Sequence, residues 1–198
     1  MYCFEFYNCT KAQLEKRKIY GTIEENSYLK VVTSSNDSHA TYKKAKGLRF
    51  ICYDKKYDRN TSYRQTYFRY NLPNAHPIGK KRNTLWRCCY CGKKLKKREI
   101  EVDHLIPVYK AKRQRHWQKK LPNGVNDKTN LVAACRHCNR MKSSKTGLWY
   151  VRGLLGQHQL YWKIICRNVK TAIMAGFHRN LSCSSIGRAG CRSDFRSN

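Results

Sequence analysis

Residues 101–108 read EVDHLIPV, an acid and an imidazole side by side in an apolar run. Apolar runs exclude such a pair unless it meets a metal, a partner or water. The alternating, β-branched pattern predicts a strand, and Pro107 marks where that strand stops pairing. What the pair does depends on what flanks it. Upstream, RCCYCG sets Cys88-x-x-Cys91, and downstream, ACRHCN sets Cys135-x-x-Cys138. A CxxC turn brings two thiolates to one side of a tight knuckle, at the separation of a tetrahedral Zn²⁺ edge. Gly92 suits the first knuckle because glycine permits its unusual dihedrals. Two such pairs complete a four-sulfur site with no open position, which makes the zinc structural. Cys89 has the wrong spacing to replace either member of its pair. Taken singly, each pair reads equally well as ordinary buried thiols. Two pairs flanking one compact segment favour zinc, which can supply on the order of 10 kcal/mol of folding free energy.

Composition narrows the partner. The 198 residues hold 42 Lys and Arg against 12 Asp and Glu, a formal net charge of +30. Charge on this scale speaks to partners rather than to fold, and it points to a polyanion, nucleic acid above all. No apolar stretch is long enough to span a bilayer, and the first residues lack a basic-then-apolar signal layout. The expectation is a soluble intracellular protein with no membrane partner. Eleven cysteines would suit a disulfide framework in an oxidising compartment, but metal-ligand spacing fits a reducing one.

The chain divides into a basic N-terminal extension of unknown fold over 1–80, a segment over 84–148 with all the recognisable chemistry, an aromatic helical extension over 149–180 and a Ser, Gly and Arg-rich tail over 181–198 read as disordered. In the first part, YLKVVTSS, GLRFICYD and YRQTYFRYNL predict short strands and KAQLEKRK a helix. NLPNAHPIGKKRN reads as a linker. The fold class is α+β.

Asp103 and Asn139 offer hard oxygen ligands suited to Mg²⁺, Mn²⁺ or Ca²⁺. His104 titrates near neutrality and could take a proton from water, a capacity that ordinary surroundings would remove as pH falls through about 6.5. A strand, a loop and a helix starting near Arg136, with Gly147 as its stop, would bring Asp103, His104 and Asn139 together. Neighbours in a regular strand point to opposite faces, so this requires the strand to end or bend at the pair. The competing reading is a buried histidine on a loop carbonyl and an aspartate capping a turn.

Cys88-x-x-Cys91, then EVDHLIPV, then Asn130-Leu131-Val132, then Cys135-x-x-Cys138-Asn139-x-x-Lys142 resembles the HNH nuclease family in its zinc-stabilised form, over roughly residues 85–148. The resemblance implies a ββα core holding one divalent cation, Mg²⁺ or Mn²⁺, on a DNA phosphate. By resemblance His104 is the general base, Asp103 and Asn139 hold the cation, and Asn130 braces the loop that orients His104. Asn139 stands where many members carry histidine, so the chain is an HNN-type variant. The basic stretch YKAKRQRHWQKKLPNG would place Arg113, Arg115 and Lys119 on phosphates, with Trp117 stacked at a base and Lys142 also at the nucleic acid. It reads equally well as a solvated basic helix with Trp117 packed on the core.

Together these readings predict a metal-dependent DNA endonuclease of phage or mobile-element type that hydrolyses phosphodiester bonds with His-activated water. The alternative is a non-catalytic zinc-knuckle nucleic-acid binder. It would share the charge and the four cysteines but would not need Asp103, His104 and Asn139.

Overall fold

The computed structural model describes residues 1–25, 27–75, 77–79 and 84–165, so the tail read as disordered and residues 166–180 of the aromatic extension lie outside the described residues. The N-terminal part is built on β1 (Tyr2–Tyr7), with β2 (Ile23–Glu25), β3 (Tyr28–Thr33) and β4 (Arg49–Asp54) in one antiparallel sheet of order β2-β3-β1-β4. The two-residue period of β1 sends its side chains to opposite faces. Phe4 and Phe6 pack with Leu14 of α1 (Lys11–Lys16), Leu29, Val31 and Ala45, the last directly after α2 (Ser35–Lys44). Cys3 and Tyr53 face the other way and pack on Ile106, Ala111, Leu121 and Val125. Helices therefore cover one face of the sheet and the cysteine-bearing segment covers the other. Thr10 starts α1 with a capping box on Gln13, which satisfies two of the free amides at its N-terminus.

Strands were expected at YLKVVTSS and GLRFICYD, and β3 and β4 lie there. YRQTYFRYNL is different: α3 (Tyr63–Thr66) runs on into a π-type turn over Tyr67–Asn71 and a 3₁₀ turn over Leu72–Asn74. Tyr63, Tyr67, Asn71 and Leu72 recur at helical spacing, and Tyr67 and Leu72 enter the core while Asn71 Nδ2 donates to Lys128 O at 2.7 Å and Leu131 O at 2.9 Å. Helical burial outweighs the β propensity of the aromatic residues.

The second part begins with the short hairpin β5 (Trp86–Arg87) and β6 (Lys94–Leu95), whose turn carries the first knuckle. β7 (Glu101–His104) pairs antiparallel with β8 (Leu131–Ala134), placing Asp103 opposite Val132 and His104 opposite Leu131. α6 (Arg136–Lys142) follows at once, with Cys135 as its N-cap, so β7, β8 and α6 form the ββα unit. The basic stretch between them folds into α4 (Val108–Arg113) and α5 (Arg115–Lys119). Gly147 is not the stop of α6. That helix ends at Ser143, held at φ 46°, and Gly147 instead precedes α7 (Leu148–Leu155). A further helical stretch covers 159–165.

Two of the contacts between the halves show how closely they fit. Val125 N donates to Lys56 O at 2.9 Å, and Gly124 beside it has φ 95°, where a Cβ would come within 2.4 Å of that same oxygen. Only glycine allows this approach. The second contact is ionic: Glu5 in β1, 2% exposed, accepts from Lys112 Nζ of α4 at 2.6 Å and from Tyr53 Oη at 2.7 Å. Lys112 also meets Asp58 at 2.8 Å, and Asp58 pairs with Lys30.

Candidate active site and metal centre

The sulfur atoms of Cys88, Cys91, Cys135 and Cys138 all lie within 4.8 Å of one another, and Cys91 Sγ is 3.9 Å from Cys135 Sγ. Zn–S bonds of about 2.3 Å in a tetrahedron require S–S edges of about 3.8 Å, so the four thiolates fit one zinc and leave no open position. Gly92 closes the first knuckle with φ 74°, and a Cβ there would meet the Trp162 ring at 2.6 Å. Cys89 is outside the set. It packs in the core at 3% exposure, where burial raises its thiol pKa and keeps it unreactive.

The knuckle reaches the strand of interest through Tyr90, 1% exposed, whose hydroxyl donates to Asp103 Oδ2 at 2.7 Å. Burial pushes the Tyr90 phenol far above its ordinary range, so it remains a donor at every working pH. Lys142 Nζ of α6 meets the same Asp103 oxygen at 2.9 Å and donates to His104 O at 2.8 Å. This corrects the expectation that Lys142 touches nucleic acid. The residue is fully buried and its ammonium neutralises Asp103 within the ββα unit. Both contacts on Asp103 fall on Oδ2. Asn139 Nδ2 donates to Glu101 Oε2 at 2.7 Å, with its amide oxygen as the remaining acceptor. Glu101 and Asp103 share the β7 face that meets α6, and the Asn139 amide projects from that helix to Glu101, so two carboxylates and one amide lie at the β7–α6 contact. This hard donor set suits Mg²⁺ or Mn²⁺.

His104 points the other way, as the strand period requires, and β7 does not bend to bring it beside Asp103 and Asn139. It is 2% exposed, with the Tyr63 ring at 4.9 Å between centroids and Nε2 3.2 Å from Asn126 Oδ1. The Asn126 amide is fixed by its other contacts. Its Nδ2 donates to Asp58 O at 2.5 Å, and its Oδ1 accepts from Asn60 N at 3.3 Å. An amide so placed shows His104 an acceptor, so the imidazole proton sits on Nε2 and the lone pair on Nδ1. Nδ1 is buried without a hydrogen-bond partner in the described structure. Burial, with the cations Arg59 and Lys142 adding to it, lowers the His104 pKa to about 4 against the Asn126 hydrogen bond. The imidazole is therefore neutral at pH 7. The turn after it is fastened by Asn130, 1% exposed, whose Oδ1 accepts from Ile106 N at 2.7 Å and whose Nδ2 donates to Ile106 O at 3.1 Å and Val125 O at 2.9 Å.

Residues 88–145 match the family model of the HNH endonucleases. No curated protein and no solved structure matches the chain. The HNH domain thus contains the zinc knuckles, β7, β8 and α6, while the four-stranded sheet lies outside the match. Of the residues expected on nucleic acid, Arg115 and Lys119 are exposed. Arg113 is turned back, its guanidinium 2.5 Å from Tyr7 Oη and 4.0 Å over the Tyr109 ring. Trp117 packs edge-on to Tyr150 at 5.1 Å, so the core-packing reading of this residue describes its placement. Among the described residues no helix is long and apolar enough to cross a membrane.

Sequence reasoning missed Tyr63, Tyr90, Glu101 and Asn126. Tyr90 stands between the ligands Cys88 and Cys91, and that place was the available signal for it. Asn126 and Tyr63 carry no motif, because they reach His104 only through the join with the N-terminal sheet. A cavity of about 770 Å³, lined by Tyr67, Trp86, Leu131 and Trp162, lies elsewhere, and none of Asp103, His104 and Asn139 borders it.

Proposed function

We propose that the protein is a metal-dependent endonuclease that hydrolyses DNA phosphodiester bonds. The observation that carries this reading is the state of His104 within the HNH domain: a neutral imidazole whose Nε2 is held by Asn126 and whose Nδ1 keeps an unused lone pair. Nδ1 accepts a proton from water as the water oxygen forms its bond to phosphorus. The bond from phosphorus to the 3′ oxygen breaks, leaving a 5′ phosphate and a 3′ hydroxyl once that oxygen gains a proton. A Mg²⁺ or Mn²⁺ held by Asp103 and Asn139 would stabilise charge on the phosphate and the leaving oxygen, and for His104 to serve that same phosphate the end of β7 must turn it to the side of Asp103. Lys142 pairs with Asp103 and orients it, Tyr90 fixes the same carboxylate, and Asn130 sets the turn that follows His104. His104 is covered by Tyr63, so a phosphodiester reaches Nδ1 only as that ring shifts. Arg115 and Lys119 extend the basic surface toward flanking phosphates.

The same burial favours a second reading. A carboxylate already met by Tyr90 and Lys142, and a histidine 2% exposed, also suit a non-catalytic zinc-knuckle binder. Purified protein incubated with supercoiled plasmid separates the two. The nuclease reading expects nicked or linear product with Mg²⁺ or Mn²⁺ and a loss of about 10²–10⁴-fold in His104→Ala, which keeps its zinc. Equal rates for His104→Ala and the wild type would transfer the function to the binder.

A further inference from the structure

We infer that the join between the N-terminal sheet and the HNH domain is a binding cleft for the phosphate backbone of a nucleic-acid strand. An open cleft of about 890 Å³ lies there, lined on one side by Lys55, Lys56, Arg59 and Asn60 and on the other by Asn126 and Lys128. All four cations are exposed, and among the described residues none of them forms an ion pair. The two acids that line the cleft are engaged elsewhere. Asp58 is held by Lys30 and Lys112, and Asp127 accepts from Thr129 N at 2.9 Å and Thr129 Oγ1 at 2.6 Å. The cleft thus sets four exposed cations against the one carboxylate of Asp127 that no cation pairs, a net positive site lined with amide groups, the chemistry that recognises phosphodiesters without reading sequence.

Its walls are not loosely apposed. Val125 N donates to Lys56 O, Lys56 Nζ to Pro122 O at 3.0 Å and Asn60 N to Asn126 Oδ1, so the cleft exists only when both parts are folded together. It also adjoins the candidate base. Asn126 lines it and holds His104 Nε2, while the Arg59 guanidinium lies 4.9 Å over the Tyr63 ring that covers His104. A strand seated on Lys55, Arg59 and Lys128 passes beside that cover. Its phosphates would draw Arg59 off Tyr63, which couples binding to exposure of His104. This coupling rests on the nuclease reading, whereas the cleft itself does not.

The test measures binding rather than cleavage, using wild-type protein and a short fluorescent duplex, with no added divalent cation and no chelator, so that zinc is retained. Replacing Lys55, Arg59 and Lys128 together by Gln removes three exposed charges and leaves the fold intact. The salt dependence of log affinity should flatten by about 2–3, with affinity at low salt weaker by about tenfold or more. The control, Lys16→Gln with Lys43→Gln and Lys46→Gln, removes the same charge from the helix-covered side and should change the slope by less than about 1. Equal slopes for the two triple variants, or no binding by the wild type, overturn the cleft. A flattened slope from a protein that never cuts plasmid keeps the cleft and overturns the nuclease reading alone.

Discussion

At the residue scale the molecule turns on His104. An ordinary histidine would lose its base function as pH falls through about 6.5, but this one has a pKa near 4 because burial disfavours its charged form. The unfolded chain binds the proton at about 6.5 and the folded chain only near 4. Its stability contribution is therefore fully present above 6.5 and is lost as pH falls toward 4, by on the order of 3 kcal/mol. Tyr63 supplies part of that burial. Tyr63→Ala should raise the His104 pKa from about 4 toward 6.5, read by an NMR titration of the imidazole. It should also flatten the acid-side loss of stability. An unmoved His104 resonance in the variant would mean that Tyr63 is not the cover. The identity of His104 as the candidate base was legible from EVDHLIPV and the flanking knuckles. Its burial was not, because Tyr63 and Asn126 are brought to it by chain folding rather than by spacing in sequence.

At the element scale, the legible parts were those fixed by local pattern. The knuckles, β7, α6 and the strands β3 and β4 each carry their own periodicity or spacing. β1 was harder to read because Glu5 interrupts its apolar face, and the Lys112 ammonium arriving from α4, with the Tyr53 and Tyr7 hydroxyls, makes that carboxylate tolerable. Burial alone would raise the Glu5 pKa, but hydrogen bonds from Lys112, Tyr53 and Tyr7 outweigh it and hold the carboxyl below its ordinary value. Read in sequence, Lys112 is one more cation in a basic stretch. In the fold it is the ionic pin between sheet and HNH domain. Without Glu5 the Lys112 ammonium keeps Asp58, but the buried Tyr53 hydroxyl loses its acceptor, so Glu5→Ala should destabilise the protein by about 1–3 kcal/mol. Exchanging Lys16, an exposed cation of α1, for Ala should cost less than about 0.5 kcal/mol. Chemical denaturation of the two variants checks both values, and equal midpoints would show that the buried network does not hold the halves together.

At the scale of the whole molecule, a net charge of +30 is mostly left unspent by the fold, since the ion pairs among the described residues use only Lys11, Lys30, Lys112 and Lys142. What holds the halves together is an apolar layer with an ionic pin and hydrogen bonds such as Val125 N to Lys56 O, and a zinc on the four cysteines would hold the HNH half. The sheet buries Phe4 and Phe6 under its own helices, yet its second face, with Cys3, Glu5 and Tyr53, packs chiefly on Ile106, Ala111, Leu121 and Val125 of the HNH domain. Zinc binding at a closed site contributes folding free energy on the order of 10 kcal/mol, comparable to the total stability of an ordinary domain. Loss of zinc should therefore unfold β7, β8 and α6 and, by stripping the second face of the sheet, destabilise β1 as well. Hydrogen exchange after Cys135→Ser or chelation should show Phe4, Glu5 and Phe6 amides losing protection together with Val102 and Val132. Full protection of β1 in zinc-free protein would make the sheet an independent domain, and the cleft between the halves would then be a contact of two separable bodies.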